Sequence, residues 1–182
     1  MTIESFPDFR YHPDPLGTGS VIASGQDCDV CGRARGYVYD GPVYADDDQW
    51  AFCPWCIADG SAASKHDAAF AGASACGTGM PPAAAEEIRR RTPGFTGWEQ
   101  ERWLSHHGDA AAFIGACGMA ELRKHGHAAV EAVRRHAAEH AEPGADVDAF
   151  LASLDANGSP TAYLFRCLHC GEYLAYSDSD DG

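Results

Sequence analysis

The sequence predicts a small α+β protein in which metal ions supplement a modest apolar core. Its 182 residues contain eight cysteines, and six of these form three Cys-x-x-Cys pairs. The pairs are Cys28/Cys31, Cys53/Cys56 and Cys167/Cys170. Hydrophobic residues make up 45% of the chain, but many are alanines, so bulky apolar side chains are few for this length. Such a chain gains stability from metal staples, which predicts a zinc-stabilised fold with two zinc ions.

Three consecutive segments are expected within one compact domain. Residues 1–70 are predicted to form a zinc-binding, treble-clef-like unit, and residues 93–182 a helical lobe closed by a zinc-knuckle β-hairpin. Residues 71–92 are rich in Ala, Gly and Pro and are interpreted as a connector. Its cysteine, Cys76, is expected to be a free thiol.

The first 27 residues mix aromatic residues with prolines, which predicts an irregular, extended segment packed on the core. Within this segment, His12 is interpreted as a buried, hydrogen-bonded histidine. No nucleophile or carboxylate pair accompanies it, so a catalytic role is disfavoured.

The first two cysteine pairs are separated by 21 residues, close to the spacing of two-pair zinc sites. The predicted ligands of one structural zinc ion are Cys28, Cys31, Cys53 and Cys56. Gly32 follows the first pair, where a tight turn favours a residue that tolerates positive φ. The alternative is a redox-active dithiol at residues 53–56. That motif belongs in a βαβ frame, and no such pattern follows it.

The elements around these cysteines have a treble-clef order. A strand is predicted at residues 37–39, and residues 43–44 and 50–52 are expected to pair back onto it. An Ala-rich helix is predicted from Pro54 to Lys65, because proline suits the first helical position. Thiolates at the N-terminus of this helix gain from its dipole.

The second half is predicted to be mainly helical, with a short helix over 83–91 leading into it. The further elements are a helix over 96–107, a strand or short helix over 110–117, a long helix over 118–142 and a short helix over 146–158. Thr96 and Glu99 form a capping-box pattern at the start of the first of these. The long helix has one apolar stripe, which Gly126 weakens.

Residues 136–140 match the His-x-x-Glu-His pattern of inverted zincins. Only 42 residues follow, which is too few to supply the third ligand from a distant helix. We therefore interpret these side chains as a solvated helix edge.

A second metal site is predicted at the C-terminal hairpin, where Cys167 and Cys170 form the turn between strands at 163–165 and 173–176. Structural zinc takes four ligands, so two more are required. His107 is the first choice and His106 the second, because both lie where the chain must turn. Other candidates are Cys117, His169 and Cys76. The alternative is a reduced hairpin whose thiols act as small hydrophobes.

The formal net charge of −14, from 13 basic and 27 acidic residues, repels phosphate backbones and disfavours nucleic acid as a partner. It favours association with a basic protein. No signal peptide or membrane-spanning apolar run is expected, which predicts a cytoplasmic protein with reduced thiols. The oligomeric state is left open.

Three stretches resemble the bacterial CbrC family: residues 9–15, residues 53–60 (Cys-Pro-Trp-Cys-Ile-Ala-Asp-Gly) and residues 161–171. Residues 92–98 and Gly108-Asp109 are also similar to it. The chain departs from the pattern at His106-His107, where zinc accepts histidine in place of cysteine. The resemblance implies a link to colicin tolerance and brings no catalytic residue.

These observations favour a zinc-binding, non-catalytic interaction protein, acting in bacteriocin or toxin tolerance through its acidic surface. The alternative is a zinc-dependent enzyme in which Cys167, Cys170 and His107 leave one metal position open for water. Glu172 or Asp109 would then serve as a base. A third possibility, a nucleic-acid-binding zinc module, would require a basic face, which this sequence does not provide.

Overall fold

The computed structural model describes residues 5–46 and 49–180, and this part of the chain has an α+β fold. Its strands are β1 (Val21–Ala23), β2 (Tyr37–Tyr39), β3 (Ser105–His106), β4 (Asp109–Ala110), β5 (Ala112–Cys117), β6 (Thr161–Arg166) and β7 (Tyr173–Asp178). Its helices are α1 (Pro54–Ala58), α2 (Ser61–His66), α3 (Pro82–Arg91), α4 (Met119–His125), α5 (His127–His140) and α6 (Val147–Ser153). Within the two described ranges, no helix is long and apolar enough to cross a membrane.

The largest sheet is antiparallel, has the order β5-β6-β7 and separates two apolar layers. Successive side chains of a strand point to opposite faces. Tyr163 and Phe165 of β6 accordingly join one core cluster, whereas Ala162 and Leu164 join the other. Because both faces of β6 are covered, this strand fixes the position of the turn that follows it.

The first layer packs aromatic rings against the sheet, and the rings of Phe95 and Phe113 stack with their centroids 3.8 Å apart. The second layer consists of α4, α5 and α6, which bury Leu122, Val133 and Leu151. A separate apolar cluster surrounds the first two cysteine pairs. The cysteines therefore belong to the interior of the N-terminal part.

Two predictions for the N-terminal part are corrected. The predicted helix from Pro54 to Lys65 is two short helices, because Gly60 between them has a φ of +80°. Residues 43–44 and 50–52 form no strand paired with residues 37–39, and their predicted pairing is reduced to one backbone hydrogen bond, from Tyr39 N–H to the Phe52 carbonyl at 2.8 Å. Instead β2 pairs with β1, which lies in the segment predicted to be irregular.

The predicted helix over 96–107 is wrong, because side chains of the large sheet bind the backbone N–H groups of this segment. Trp98 N–H donates to the Tyr163 hydroxyl at 3.2 Å, and Arg102 N–H donates to the Tyr176 hydroxyl at 3.2 Å. Glu99, the second residue of the capping-box pattern, donates its N–H to Asp178. These tertiary hydrogen bonds replace the helical ones.

The other elements of the second half follow the predictions more closely. For residues 110–117 the sequence left a strand and a short helix open, and residues 112–117 form a strand. The long helix is divided into α4 and α5 at Gly126, where φ is +94° and ψ is 179°. The C-terminal hairpin is confirmed as β6 and β7.

Candidate metal centres

The first cluster brings together the thiols of the first two cysteine pairs. It consists of Cys28, Cys31, Cys53 and Cys56, whose sulfur atoms all lie within 4.8 Å of one another. The first pair comes from the loop between β1 and β2, and the second from the start of α1. Cys53 precedes this helix and Pro54 begins it, as proline favours.

Backbone contacts hold the two halves of the first cluster in place. Gly32, at a φ of +64°, donates its N–H to the carbonyl of Cys28 at 2.7 Å. The Asp29 carboxylate accepts the N–H of Ala51 at 2.7 Å, and Asp29 N–H donates to the Ala51 carbonyl at 2.9 Å. This double link ties the loop to the chain just before Cys53.

The thiols of the first cluster cannot all ionise easily without a cation. A hydrogen bond from the Cys53 side chain lowers the pKa of Cys28 to about 4. The same hydrogen bond, together with burial, raises the pKa of Cys53. Burial also raises the pKa of Cys56 to about 11. A bound cation would offset the repulsion among these thiolates.

The second cluster lies where the turns of two hairpins meet. It consists of His106, His107, Cys167 and Cys170, whose ligand atoms all lie within 4.8 Å of one another. His107 Nδ1 is 3.7 Å from Cys167 Sγ, and His106 Nδ1 is 3.6 Å from Cys170 Sγ. His107 and Gly108 have φ values of +54° and +70°, which close the tight turn between β3 and β4.

Backbone N–H groups prepare the second cluster for negative charge. Those of Cys170 and His169 lower the pKa of Cys167 to about 5. The Glu172 carboxylate lies 3.8 Å from His106 Nε2 and 3.1 Å from Arg135 on α5. A carboxylate behind a ligating histidine fixes the ring orientation.

Asp109 is the structural hub beside the second cluster. Its carboxylate accepts hydrogen bonds from Tyr11 at 2.8 Å, from His169 Nε2 at 3.0 Å and from Arg10. Burial alone would raise the pKa of Asp109, but the bonds from Tyr11 and His169 outweigh it and lower this pKa. No local sequence signal identifies this role, because the partners are about 60 to 99 residues away.

All eight predicted ligands thus fall into two clusters that can hold metal ions, and their role as ligands stays a prediction. The other candidates lie elsewhere. His169 forms a hydrogen bond with Asp109, and Cys117 is buried in the core with its Sγ 3.6 Å from the Gly115 carbonyl. The backbone of Cys76 pairs with that of Trp103 in an isolated β-bridge. All the cysteines fall inside the described ranges, and they are free thiols.

The fold and the sites define a class: a small α+β protein with two Cys/His clusters that can hold metal ions. Residues 6–179 match the model of the Uncharacterised protein family (UPF0167), and the chain belongs to this family. UPF0167 proteins of Mycobacterium bovis and Mycobacterium tuberculosis are each 50% identical over 179 residues, covering 97% of this chain and 95% of the relative. A UPF0167 protein of Pseudomonas aeruginosa is 41% identical over 177 residues, covering 96% of each chain. No solved structure matches the chain.

The family match corrects one expectation. The chain was expected to belong to the CbrC family, but the matching family is UPF0167, and the relatives carry that name. The link to colicin tolerance was implied by the CbrC resemblance and loses that support.

Proposed function

We propose that the protein is a zinc-structured, non-catalytic interaction protein of the cytoplasm, whose acidic surface binds a basic partner protein. The observation that carries the proposal is the grouping of eight potential ligands into two compact sets of four. Four protein ligands close a zinc site, whereas a catalytic zinc keeps one position for water. Two zinc ions per chain would therefore fasten the fold.

The distances support zinc as the metal. Tetrahedral zinc with Zn–S bonds of about 2.3 Å places two sulfur atoms about 3.8 Å apart, and a sulfur and a nitrogen about 3.6 Å apart. The sulfur atoms of Cys31 and Cys53 are 4.0 Å apart, far beyond a disulfide bond of about 2.05 Å. The two Nδ1–Sγ distances of the second cluster are 3.7 and 3.6 Å.

Zinc at the first cluster would complete a treble-clef-like unit, and zinc at the second would complete a knuckle at the β6–β7 turn. His106 argues against the enzyme alternative, because it stands beside Cys170 as a fourth donor. With His106 bound, no metal position is left for water.

The partner class follows from charge. A chain with a net charge of −14 attracts basic surfaces over several ångströms and speeds their association in low salt. The same field repels nucleic acids. The proposed partner is a basic protein, and a basic toxin is one member of that class.

Metal analysis of the purified, reduced protein tests the zinc sites. We expect two zinc ions per chain, falling to about one in Cys53→Ser and in Cys170→Ser. Cys76→Ser is the matched control and keeps both ions, because Cys76 lies outside both clusters. One zinc per chain with a water ligand seen by X-ray absorption would overturn the non-catalytic proposal.

Partner capture at low salt tests the interaction. The tagged holoprotein is the bait, and each captured protein is repurified and titrated at two salt concentrations. We expect a partner of high isoelectric point whose affinity falls as salt rises, because screening weakens exposed charges. A partner of low isoelectric point, salt-independent binding, or a gel shift of DNA or RNA would contradict the proposal.

A further inference from the structure

A cavity of about 320 Å³ opens between α5, the start of α6, β7 and the segment before β3. It is separate from both metal clusters, none of whose residues line it. Its walls are largely apolar and include Ala137, Val147 and Phe150. Pockets of about 300 Å³ lie at the small end of the range for ligand sites, so the cavity suits a small molecule.

The polar groups at this cavity point to an anion. Arg102 lines it, and the guanidinium stacks 4.4 Å from the centroid of the Tyr176 ring. Among the residues that the structure describes, no carboxylate lies within 4.0 Å of the Arg102 guanidinium, and the Asp178 carboxylate acts on it only from a longer distance. An unpaired, aromatic-supported guanidinium offers two parallel donors to a carboxylate.

His136 adds a neutral hydrogen-bonding group. The centroid of its ring lies 4.2 Å from the centroid of the His140 ring. His140 Nδ1 contacts the His136 carbonyl at 2.8 Å, but the two ring nitrogens of His136 have no hydrogen-bond partner among the described residues. Burial, followed by the charges of His140 and Arg102, lowers the pKa of His136 to about 4. The imidazole is therefore uncharged near neutral pH and can donate or accept a hydrogen bond.

Asp146 is the acidic group of the lining, but it is committed to another role. Its carboxylate caps α6 by accepting the N–H of Ala149 at 3.0 Å. It faces the cavity together with Arg102, His136 and His140. The cavity thus offers one unpaired cation, a neutral imidazole and an apolar wall.

We propose that this cavity is a binding site for a small organic carboxylate with an apolar body, held by Arg102 at the carboxylate and by Phe150 and Val147 at the apolar end. The site does not depend on either metal cluster. It would give the protein a second recognition function, for a small molecule in addition to a protein.

The test is an NMR titration of the isotope-labelled holoprotein with four probes. These are hexanoate, phenylacetate and their uncharged amides, hexanamide and phenylacetamide. We expect at least one carboxylate to shift the backbone signals of Ala137 and Val147 at millimolar concentration, and to bind more tightly than its amide. The charge-assisted hydrogen bonds to Arg102 would supply that preference.

Two variants separate the contributions. Arg102→Gln should weaken carboxylate binding by about tenfold or more and leave amide binding unchanged, because a hydrogen bond to a charged group is lost. Phe150→Ala should weaken the binding of a carboxylate and of its amide by the same factor. Arg123→Gln removes the same charge on the exposed face of α4 and should change neither carboxylate binding nor amide binding.

The proposal is overturned if no probe shifts those signals, or if Arg102→Gln and Arg123→Gln have the same effect. It is also overturned if the amides bind as tightly as the carboxylates. Far-UV circular dichroism and metal content confirm that each variant is folded. Failure here leaves the zinc proposal intact, because metal content is measured separately.

Discussion

At the scale of single residues, His12 joins the N-terminal segment to the chain at Pro93 through hydrogen bonds of its ring. The side chain is buried, as predicted, and both ring nitrogens are engaged. Nδ1 lies 2.7 Å from the Pro93 carbonyl and must donate to it, so Nε2 accepts from the Thr18 hydroxyl at 2.7 Å. Burial lowers the pKa of His12 to about 4, which keeps the ring neutral. The sequence indicated the burial, but the partner at Pro93 depends on tertiary contact.

Asp109→Asn should loosen the second metal cluster. The carboxylate holds Tyr11, Arg10 and His169 together, and an amide offers only one acceptor oxygen to these donors. Loss of an outer-shell partner of a metal ligand costs about 10- to 100-fold in metal affinity, and Asp109 acts on the cluster through His169, which lies between Cys167 and Cys170. We expect a loss of that size at the second cluster alone, measured as zinc retained against a competing chelator.

Asp8→Asn is the control for this substitution, because it removes the same charge at an exposed position. Equal zinc retention in the two variants would show that Asp109 does not position the second cluster. A loss from the first cluster would point to general unfolding instead.

At the scale of elements, glycines decide where helices end. Gly126 separates α4 from α5 with a backbone conformation that glycine adopts easily and other residues rarely do. The apolar stripe of residues 118–142 predicted one helix, since periodicity does not reveal a single break. The sequence predicted that Gly126 weakens the helix at this position, and the structure has a complete break there.

Gly126→Ala should destabilise the protein by about 1–3 kcal/mol, the cost of an unfavourable backbone conformation. Crowding does not contribute, because an added Cβ would meet no atom within 4 Å. Urea denaturation of the holoprotein measures the change. Gly25→Ala has the same open space without a positive φ and should be nearly neutral. Equal effects in the two variants would contradict the backbone argument.

At the scale of the whole molecule, the two clusters differ in their surroundings. Three of the four cysteines in the first are buried in an apolar cluster, whereas two of the four ligands in the second are exposed. The first cluster therefore sits inside a core, and the second joins two hairpin turns at the surface. Water and chelators reach the second cluster more easily.

Metal release should therefore occur in two steps. With a chromophoric chelator under reducing conditions, we expect a fast phase from the second cluster and a slow phase from the first. Cys170→Ser should remove the fast phase only, and Cys53→Ser the slow phase only. The slow phase should accompany loss of near-UV circular dichroism, because the first cluster is packed into the core. A single phase in the wild-type protein would contradict this difference.

The sequence by itself determined the α+β class, the grouping of cysteines into pairs and the acidic charge, because these depend on composition and short spacing. It also predicted the C-terminal hairpin and indicated His106 and His107 as partners for the third pair. Tertiary structure alone decided the path of residues 96–107 and the role of Asp109. The N–H groups of that path, and the oxygens of that carboxylate, have partners up to 99 residues away in sequence. Local pattern carries no information about such partners, because they meet only when the sheet has formed.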